Sequence, residues 1–295
     1  MYPDFIVIGA QKAGTTWLYR NLQIHPQIYL PPEKEIHFFD FPPLIPFYFL
    51  LFSPDRSIRN WGKSRMLRDY RKVKTGEQSL SWYLRYYFMF RTKRWYRSLF
   101  RSDTEQVTGE ITPRYSTLKK EGVKRVYSLM PKAKVVYILR NPIERMWSDL
   151  AMYHRPQFGN EQLNVIDEKR IVKFLKSSQH LANSRYLNNL NRWEQHYSSA
   201  QIFVGFQDQI RDEPEELLND IAEFLGVEAF GYHHSELIKR KINSHSYPAI
   251  PEHYAKMLAE IFINEIESLH QRFNNSYTKE WLRSTQAILD IAEKG

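Results

Sequence analysis

Phe5-Ile-Val-Ile-Gly-Ala-Gln-Lys-Ala-Gly-Thr-Thr-Trp17 decides the fold: an apolar run enters a loop bounded by Gly9 and Gly14, and an amphipathic helix opens near Thr15. Backbone N–H groups around the two glycines can approach an anion because no Cβ intervenes, and the helix start adds the positive end of its dipole. Such a turn is built to hold phosphate. In the nucleotide-triphosphatase loop, Gly-x-x-x-x-Gly is followed directly by Lys and then Ser or Thr. Here the glycines keep that spacing, but Thr15 occupies the lysine slot and Lys12 sits earlier, inside the loop. This is a different phosphate cradle.

Outward from this turn, short β-branched runs alternate with helical stretches. Residues 4–8 read as a strand, 15–23 as a helix stopped before His25-Pro26, 134–139 as a buried strand, and 143–153 as a helix with Pro142 in its first turn. Residues 202–206 form another strand, and 214–225 a helix with proline at its start, acids in its first turn and Gly226 past its end. A long closing helix spans 251–273. Alternation of this kind predicts an α/β fold with a P-loop-like central parallel sheet flanked by helices, with ligands at the carboxyl ends of the strands. Segment 41–101 breaks the pattern and reads as an insertion of helices and loops over the strand ends. The 295 residues can bury a substantial core and nothing forces a split, so 1–295 is read as one domain.

The chain has no cysteine, which excludes disulfides and thiolate metal sites and fits a reducing compartment. The N-terminus enters its first strand directly, so no signal peptide is expected. The longest uncharged apolar run, Phe41–Phe52, is broken by Pro42, Pro43 and Pro46, whereas a spanning helix needs about 20 apolar residues. A cytoplasmic protein is expected. The net charge of +9 is uneven: residues 55–101 carry fourteen Lys/Arg against three acids, a balance of +11, so the rest of the chain stands at −2. That segment also holds Trp61, Trp82 and Trp95, a mixture suited to an anionic, stackable or interfacial partner.

A second anion site is suggested by Val135-Val-Tyr-Ile-Leu-Arg140-Asn-Pro-Ile-Glu-Arg-Met-Trp-Ser148. Arg140 stands where the buried strand ends, and Ser148 lies two turns into the next helix. A guanidinium fork binds phosphate bidentately while a hydroxyl closes the other side. An ATPase would want an acid at such a strand end to hold magnesium. Two phosphate sites without an obvious metal site suit a nucleotide phosphorylated at two separate positions.

Together these features resemble the sulfotransferases that use 3′-phosphoadenosine 5′-phosphosulfate (PAPS), especially those acting on glycans such as heparan sulfate. Gly9-Ala-Gln-Lys-Ala-Gly-Thr-Thr16 is similar to the family's 5′-phosphosulfate loop, and Arg140 with Ser148 to its 3′-phosphate motif. Glu35-Ile-His-Phe-Phe-Asp40 is similar to the glycan enzymes' motif whose glutamate is the catalytic base. Further matches are Tyr186 seven residues before Trp193, the helix from Glu213 to Phe224-Leu-Gly226, and Asn243–Pro248. The resemblance implies PAPS as donor and no metal. It assigns catalysis to Lys12, Glu35 and His37. It assigns donor binding to Gln11, Lys12, Ala13, Gly14, Thr15, Thr16, Trp17, Arg140, Ser148, Tyr186, Asn243, Ser244 and His245. Glu35 and His37, two residues apart, would point to one side of an extended segment. Where the glycan enzymes often place a lysine after the residue matching Glu110, this chain has Ile111. The C-terminal loop also lacks the family's Lys-Gly pair.

The acceptor is expected to be a carbohydrate-like or lipid-linked hydroxyl or amine, anionic in character. Segment 41–101 would serve as its lid or as a peripheral membrane contact, with Arg91, Lys93, Arg94 and Arg97 facing the acceptor, and no nucleic acid is expected as partner. Two other readings stand beside this one: a P-loop kinase or ATPase, disfavoured by Thr15 and Arg140, and a non-enzymatic nucleic-acid or membrane binder using the basic segment. Each residue also has a plain structural reading. Tyr186 and Trp193 at helical spacing suit a core, His37 a satisfied histidine under Phe38 and Phe39, and Glu35 a solvated partner of Lys34.

Overall fold

A computed structural model describes residues 1–41, 45–100, 105–158, 167–230 and 249–291. Strand β1 (Phe5–Gly9) leads into helix α1 (Thr15–Gln23) and the two-residue β2 (Ile28–Tyr29). The insertion follows as a 3-10 turn (Phe47–Phe52), α2 (Arg56–Lys74), α3 (Leu80–Phe88) and α4 (Lys93–Ser98). The chain returns to the sheet in β3 (Val107–Ile111), then passes a 3-10 turn (Pro113–Thr117) and α5 (Lys120–Leu129) to β4 (Lys134–Leu139). Helices α6 (Pro142–Phe158), α7 (Glu168–Leu175), α8 (Ser178–Ala182) and α9 (Tyr186–Glu194) precede β5 (Ile202–Phe206). Helices α10 (Gln207–Asp212), α11 (Pro214–Leu225), α12 (Glu252–Phe273) and α13 (Ser276–Ile291) complete the described chain.

The five strands form one parallel sheet in the order β2-β3-β1-β4-β5. Strand β1 is central, with Val7 opposite Ile111 on one side and Val136 on the other, and all five of its residues are buried. That burial on both faces is why a continuous apolar run, rather than alternation, marks a strand of a covered parallel sheet. The expected strand at 4–8 is shifted by one residue, the helix expected at 143–153 runs from Pro142 to Phe158, and the closing helix is followed by a second one, α13. Asn274, in left-handed backbone, makes the turn between α12 and α13. Strands β2 and β3 lack a strand-like apolar run: β2 has two residues, and β3 carries Thr108, Gly109 and Glu110.

The insertion joins the body through its aromatic side chains and through buried charge. Trp82, Tyr86, Trp95 and Tyr96 enter the same hydrophobic cluster as the sheet. Glu33, just ahead of the Glu35 motif, accepts from Arg65 Nε at 2.8 Å and is also paired with Arg68, which bonds Asp69 at 2.9 Å. Tyr87 donates to the same aspartate. Buried ions are tolerated only when each is paired and hydrogen-bonded, and this network ties α2 and α3 to the segment that carries Glu35.

Candidate active site

The loop after β1 is shaped by its glycines. Gly14 caps α1 in left-handed backbone (φ 82°), and a Cβ there would lie 2.3 Å from Ile210 Cδ1. The start of α1 has no side-chain cap and no acid in its first turn, so its leading N–H groups are left for an anion. Ala10 N–H donates to Ile138 O at 2.7 Å, tying the loop to β4. Lys12 takes a positive φ of 71° at the crown. Ala13 and Trp17 are buried beneath the loop, Thr15 is buried, and Gln11 and Thr16 are half-buried.

Arg140, at the end of β4, is brought to this loop: its Nη1 donates to Lys12 O at 3.1 Å, while Nη2 reaches Glu144 Oε2 at 3.2 Å. The fork thus spans the loop backbone and a carboxylate one turn into α6. Tyr186 donates through its hydroxyl to Arg140 O at 2.8 Å, and its ring is fully buried edge-on to Tyr137. That is a core position. Tyr186 steadies the strand tip rather than offering a face for an adenine, and Trp193 is likewise core. Ser148 is buried in α6. Asn243, Ser244 and His245 lie outside the described residues.

Glu35 and His37 meet on the other side of the loop, but not through an extended segment. Both have left-handed backbone, with φ of 64° and 57°. Glu35 N–H donates to Ile111 O at 3.0 Å, which sets the motif at the end of β3. His37 Nε2 lies 3.5 Å from one Glu35 oxygen, and Nδ1 lies 2.8 Å from Asp40 Oδ2, so the imidazole stands between two carboxylates. Lys34, the chain neighbour of Glu35, is the bridge. Its ammonium donates to Glu35 Oε1 at 3.0 Å and to the hydroxyls of Thr15 and Thr16 at 3.2 and 3.3 Å. The signal in the sequence was a lysine beside the motif glutamate, but only the fold brings it to α1.

Burial pushes the Glu35 carboxyl up, yet the hydrogen bond from His37 and the Lys34 ammonium outweigh it and hold the group at about 2. Burial pushes His37 down, and Asp40 and Glu35 more than reverse this, leaving it above the ordinary histidine value. Glu35 is therefore a carboxylate at neutral pH, with its side chain 40% exposed.

The insertion holds this arm by its backbone. Arg91 Nη2 donates to Ile36 O at 2.7 Å and His37 O at 2.6 Å, and Arg65 Nη2 donates to Lys34 O at 2.9 Å. Phe38 N–H donates to Tyr115 Oη at 2.8 Å. Arg91 is buried, so it clamps the Glu35 segment and does not face an acceptor as expected, whereas Lys93, Arg94 and Arg97 are exposed. Behind the arm, Glu110 is fully buried, accepting from Tyr96 and from Thr112 at 3.1 Å. Burial pushes its carboxyl up to about 7. Among the described residues, no helix is long and apolar enough to cross a membrane, and no group of three or more His, Asp or Glu is gathered to hold a metal ion.

The chain is 24% identical over 315 residues to the bifunctional heparan sulfate N-deacetylase/N-sulfotransferase 1 of Caenorhabditis elegans, an alignment covering 97% of this chain and 32% of that protein. The chain thus spans about a third of the length of that relative. Its fold matches a sulfotransferase from Alicyclobacillus acidocaldarius with a TM-score of 0.62 at 23% identity, covering 95% of this chain and 99% of that one. It also matches a mouse sulfotransferase solved as a complex with PAP, with a TM-score of 0.50 at 13% identity, covering 99% and 89%. The family model described as the sulfotransferase family matches residues 3–231, from ahead of β1 to beyond α11. The parallel sheet, the lysine-bearing loop and the strand-end arginine thus sit in a chain that belongs to the sulfotransferase family and is an enzyme of that class.

Proposed function

We propose that the chain transfers the sulfuryl group of PAPS to a hydroxyl or amine of a carbohydrate-like or lipid-linked acceptor, releasing adenosine 3′,5′-bisphosphate. The observation that carries this reading is the backbone. Among the described residues, the non-glycine positions with positive φ are Lys12, Glu35, His37 and Asn274. Three of the four are the residues that the sequence singles out for chemistry. Left-handed backbone at a non-glycine residue costs about 1–2 kcal/mol, and it clusters where the surroundings hold functional groups in place.

The local chemistry supports the donor. An uncapped α1, Lys12 and Lys34 meet at one loop, a cationic setting for a phosphosulfate, and Arg140 reaches that loop's backbone from the end of β4. Gln11 to Trp17 would hold the 5′ end, while Arg140, Ser148, Asn243, Ser244 and His245 would hold the 3′-phosphate. PAPS, when bound, supplies a sulfuryl group whose bond to the 5′-phosphate breaks as a bond to the acceptor forms. Lys12 and the α1 N–H groups then meet the charge left on that phosphate. Glu35 receives the acceptor proton.

Glu35 is ionised, as a general base must be, but a carboxylate held near 2 is a weak base. Lys34 resolves this tension. Negative charge on the loop favours Lys34 at Thr15 and Thr16 over Glu35, and Glu35 regains basicity when donor is in place. His37, braced by Asp40, keeps the carboxylate oriented. The heparan sulfate enzyme among its relatives favours a sugar hydroxyl or amine, and residues 41–101 would wall the acceptor side of one catalytic domain spanning 1–295.

The test uses PAPS labelled in its sulfate, offered with a panel of sugar-containing acceptors and phenols. Label should reach a sugar-containing acceptor. Glu35→Gln should cut kcat by about 10²–10⁴-fold while adenosine 3′,5′-bisphosphate binds as before. Label on phenols and on no sugar-containing acceptor would overturn the acceptor assignment.

A further inference from the structure

Twelve of the sixteen large hydrophobic side chains exposed among the described residues lie between 45 and 90. They are organised. On α3, Trp82, Tyr83, Tyr86 and Tyr87 face the core, yet Leu80, Leu84 and Phe88, spaced i, i+4, i+8, are each about half exposed. A contiguous patch of exposed apolar side chains marks an interaction site. The stripe is continuous with its neighbours: Phe88 stacks on Tyr48 with ring centres 5.7 Å apart, Tyr48 meets Phe49 at 4.8 Å, and Phe49 meets Phe52 at 6.4 Å. Phe52 and Phe90 are the most exposed of the set, at 73% and 62%.

The segment that carries this patch is basic. Residues 45–100 carry thirteen Lys/Arg against three acids, a balance of +10. Arg65, Arg68 and Lys72 are occupied by Glu33 and Asp69, and Arg91 by backbone carbonyls. Lys74, Lys93 and Arg94 are exposed, and Lys74 lies 5.2 Å from the Tyr70 ring centre at the edge of the patch. A second copy of the chain would bring two such positive faces together, which repel. A soluble polyanion would satisfy the cations and leave Leu84, Phe88 and Phe90 in water. An anionic bilayer surface satisfies both, since apolar and aromatic side chains enter the headgroup boundary while lysines and arginines meet the lipid charge.

We propose that the outer face of the insertion, centred on Leu84, Phe88 and Phe90, docks peripherally on an anionic phospholipid surface. Lipid binding is read without turnover, so the experiment stands apart from the donor and acceptor assignments above. The experiment is co-sedimentation with vesicles of phosphatidylglycerol and phosphatidylcholine, or of phosphatidylcholine alone. Three proteins are compared: wild type, the combined Leu84→Ser, Phe88→Ser and Phe90→Ser variant, and the combined Lys74→Glu, Lys93→Glu and Arg94→Glu variant. None of the six side chains belongs to the donor loop, so both variants should unfold cooperatively and keep the wild-type affinity for adenosine 3′,5′-bisphosphate, which certifies the fold. Wild type should bind the anionic vesicles at least tenfold more tightly than the neutral ones, and each variant should lose at least tenfold. Binding that survives loss of the three apolar residues would overturn the proposal in favour of charge-only adsorption. Failure of wild type to sediment would overturn it, and so would a wild-type dimer that the serine variant converts to monomer.

Discussion

Replacing Glu110 by glutamine tests the buried frame behind the site through a pH-dependent change in stability. Glu110 sits on β3, one residue before the carbonyl that fixes Glu35, and its carboxyl takes hydrogen bonds from Tyr96 of α4 and from Thr112. Burial raises its pKa from 4.5 to about 7. Below about 4.5 the group is protonated in both the folded and the unfolded chain and its titration affects neither. Between 4.5 and 7 the unfolded chain gives up the proton and the folded chain keeps it, so stability falls as pH rises. Above about 7 the loss is complete, at about 3 kcal/mol given 1.36 kcal/mol per pH unit. Glutamine keeps the shape but does not titrate. Any fixed cost of rearranging the hydrogen bonds cancels when the variant is compared with wild type at two pH values. Thermal or denaturant unfolding at pH 5 and pH 8.5 should therefore show the variant gaining about 2.5 kcal/mol on wild type across that interval, roughly 4 °C in melting temperature for a chain of this size. A difference between the two proteins that stays constant with pH would refute the reasoning.

Other perturbations probe the arm and the loop. Arg91→Met removes two hydrogen bonds to buried carbonyls, each worth about 1–3 kcal/mol when left unmade; a drop of about 2–4 kcal/mol in unfolding free energy and a fall in kcat should appear together, with nucleotide affinity nearly unchanged. Lys34→Met takes away a cation that holds Glu35 down, so the acid limb of the kcat/KM profile should move to higher pH, and a profile identical to wild type would remove Lys34 from the account. Gly14→Ala forces a side chain into left-handed backbone and against Ile210; calorimetry should find adenosine 3′,5′-bisphosphate bound at least tenfold more weakly, about 1.4 kcal/mol.

The parts legible in the sequence were those with local grammar. The strand at Phe5, the glycine-bounded loop and the helix at Thr15 are encoded by neighbours in the chain, as are Pro214 and Gly226 at the two ends of α11. Arg140 could be placed because it ends a continuous apolar run. What resisted reading depends on contacts made at a distance. Strand β3 carries Gly109, whose missing Cβ leaves room for the ring of Phe5, and Glu110, whose burial is balanced by residues from α4; neither looks like a strand residue alone. Lys34 acquires meaning only when the turn after β2 carries it to Thr15 and Thr16. Arg91 read as a surface cation because its partners are carbonyls of Ile36 and His37, 54–55 residues away. The convergence of Glu35 and His37 was foreseen, but the extended backbone proposed for it was not what the chain uses.

The central claim is that Lys12 and Arg140 bind opposite ends of one doubly phosphorylated adenosine. Titration calorimetry with adenosine 3′,5′-bisphosphate and with adenosine 5′-monophosphate tests it most directly, on wild type, Lys12→Ala and Arg140→Ala. Wild type should prefer the bisphosphate, Arg140→Ala should erase that preference, and Lys12→Ala should weaken both nucleotides alike. Equal binding of the two nucleotides by wild type, or a preference untouched by Arg140→Ala, would contradict it.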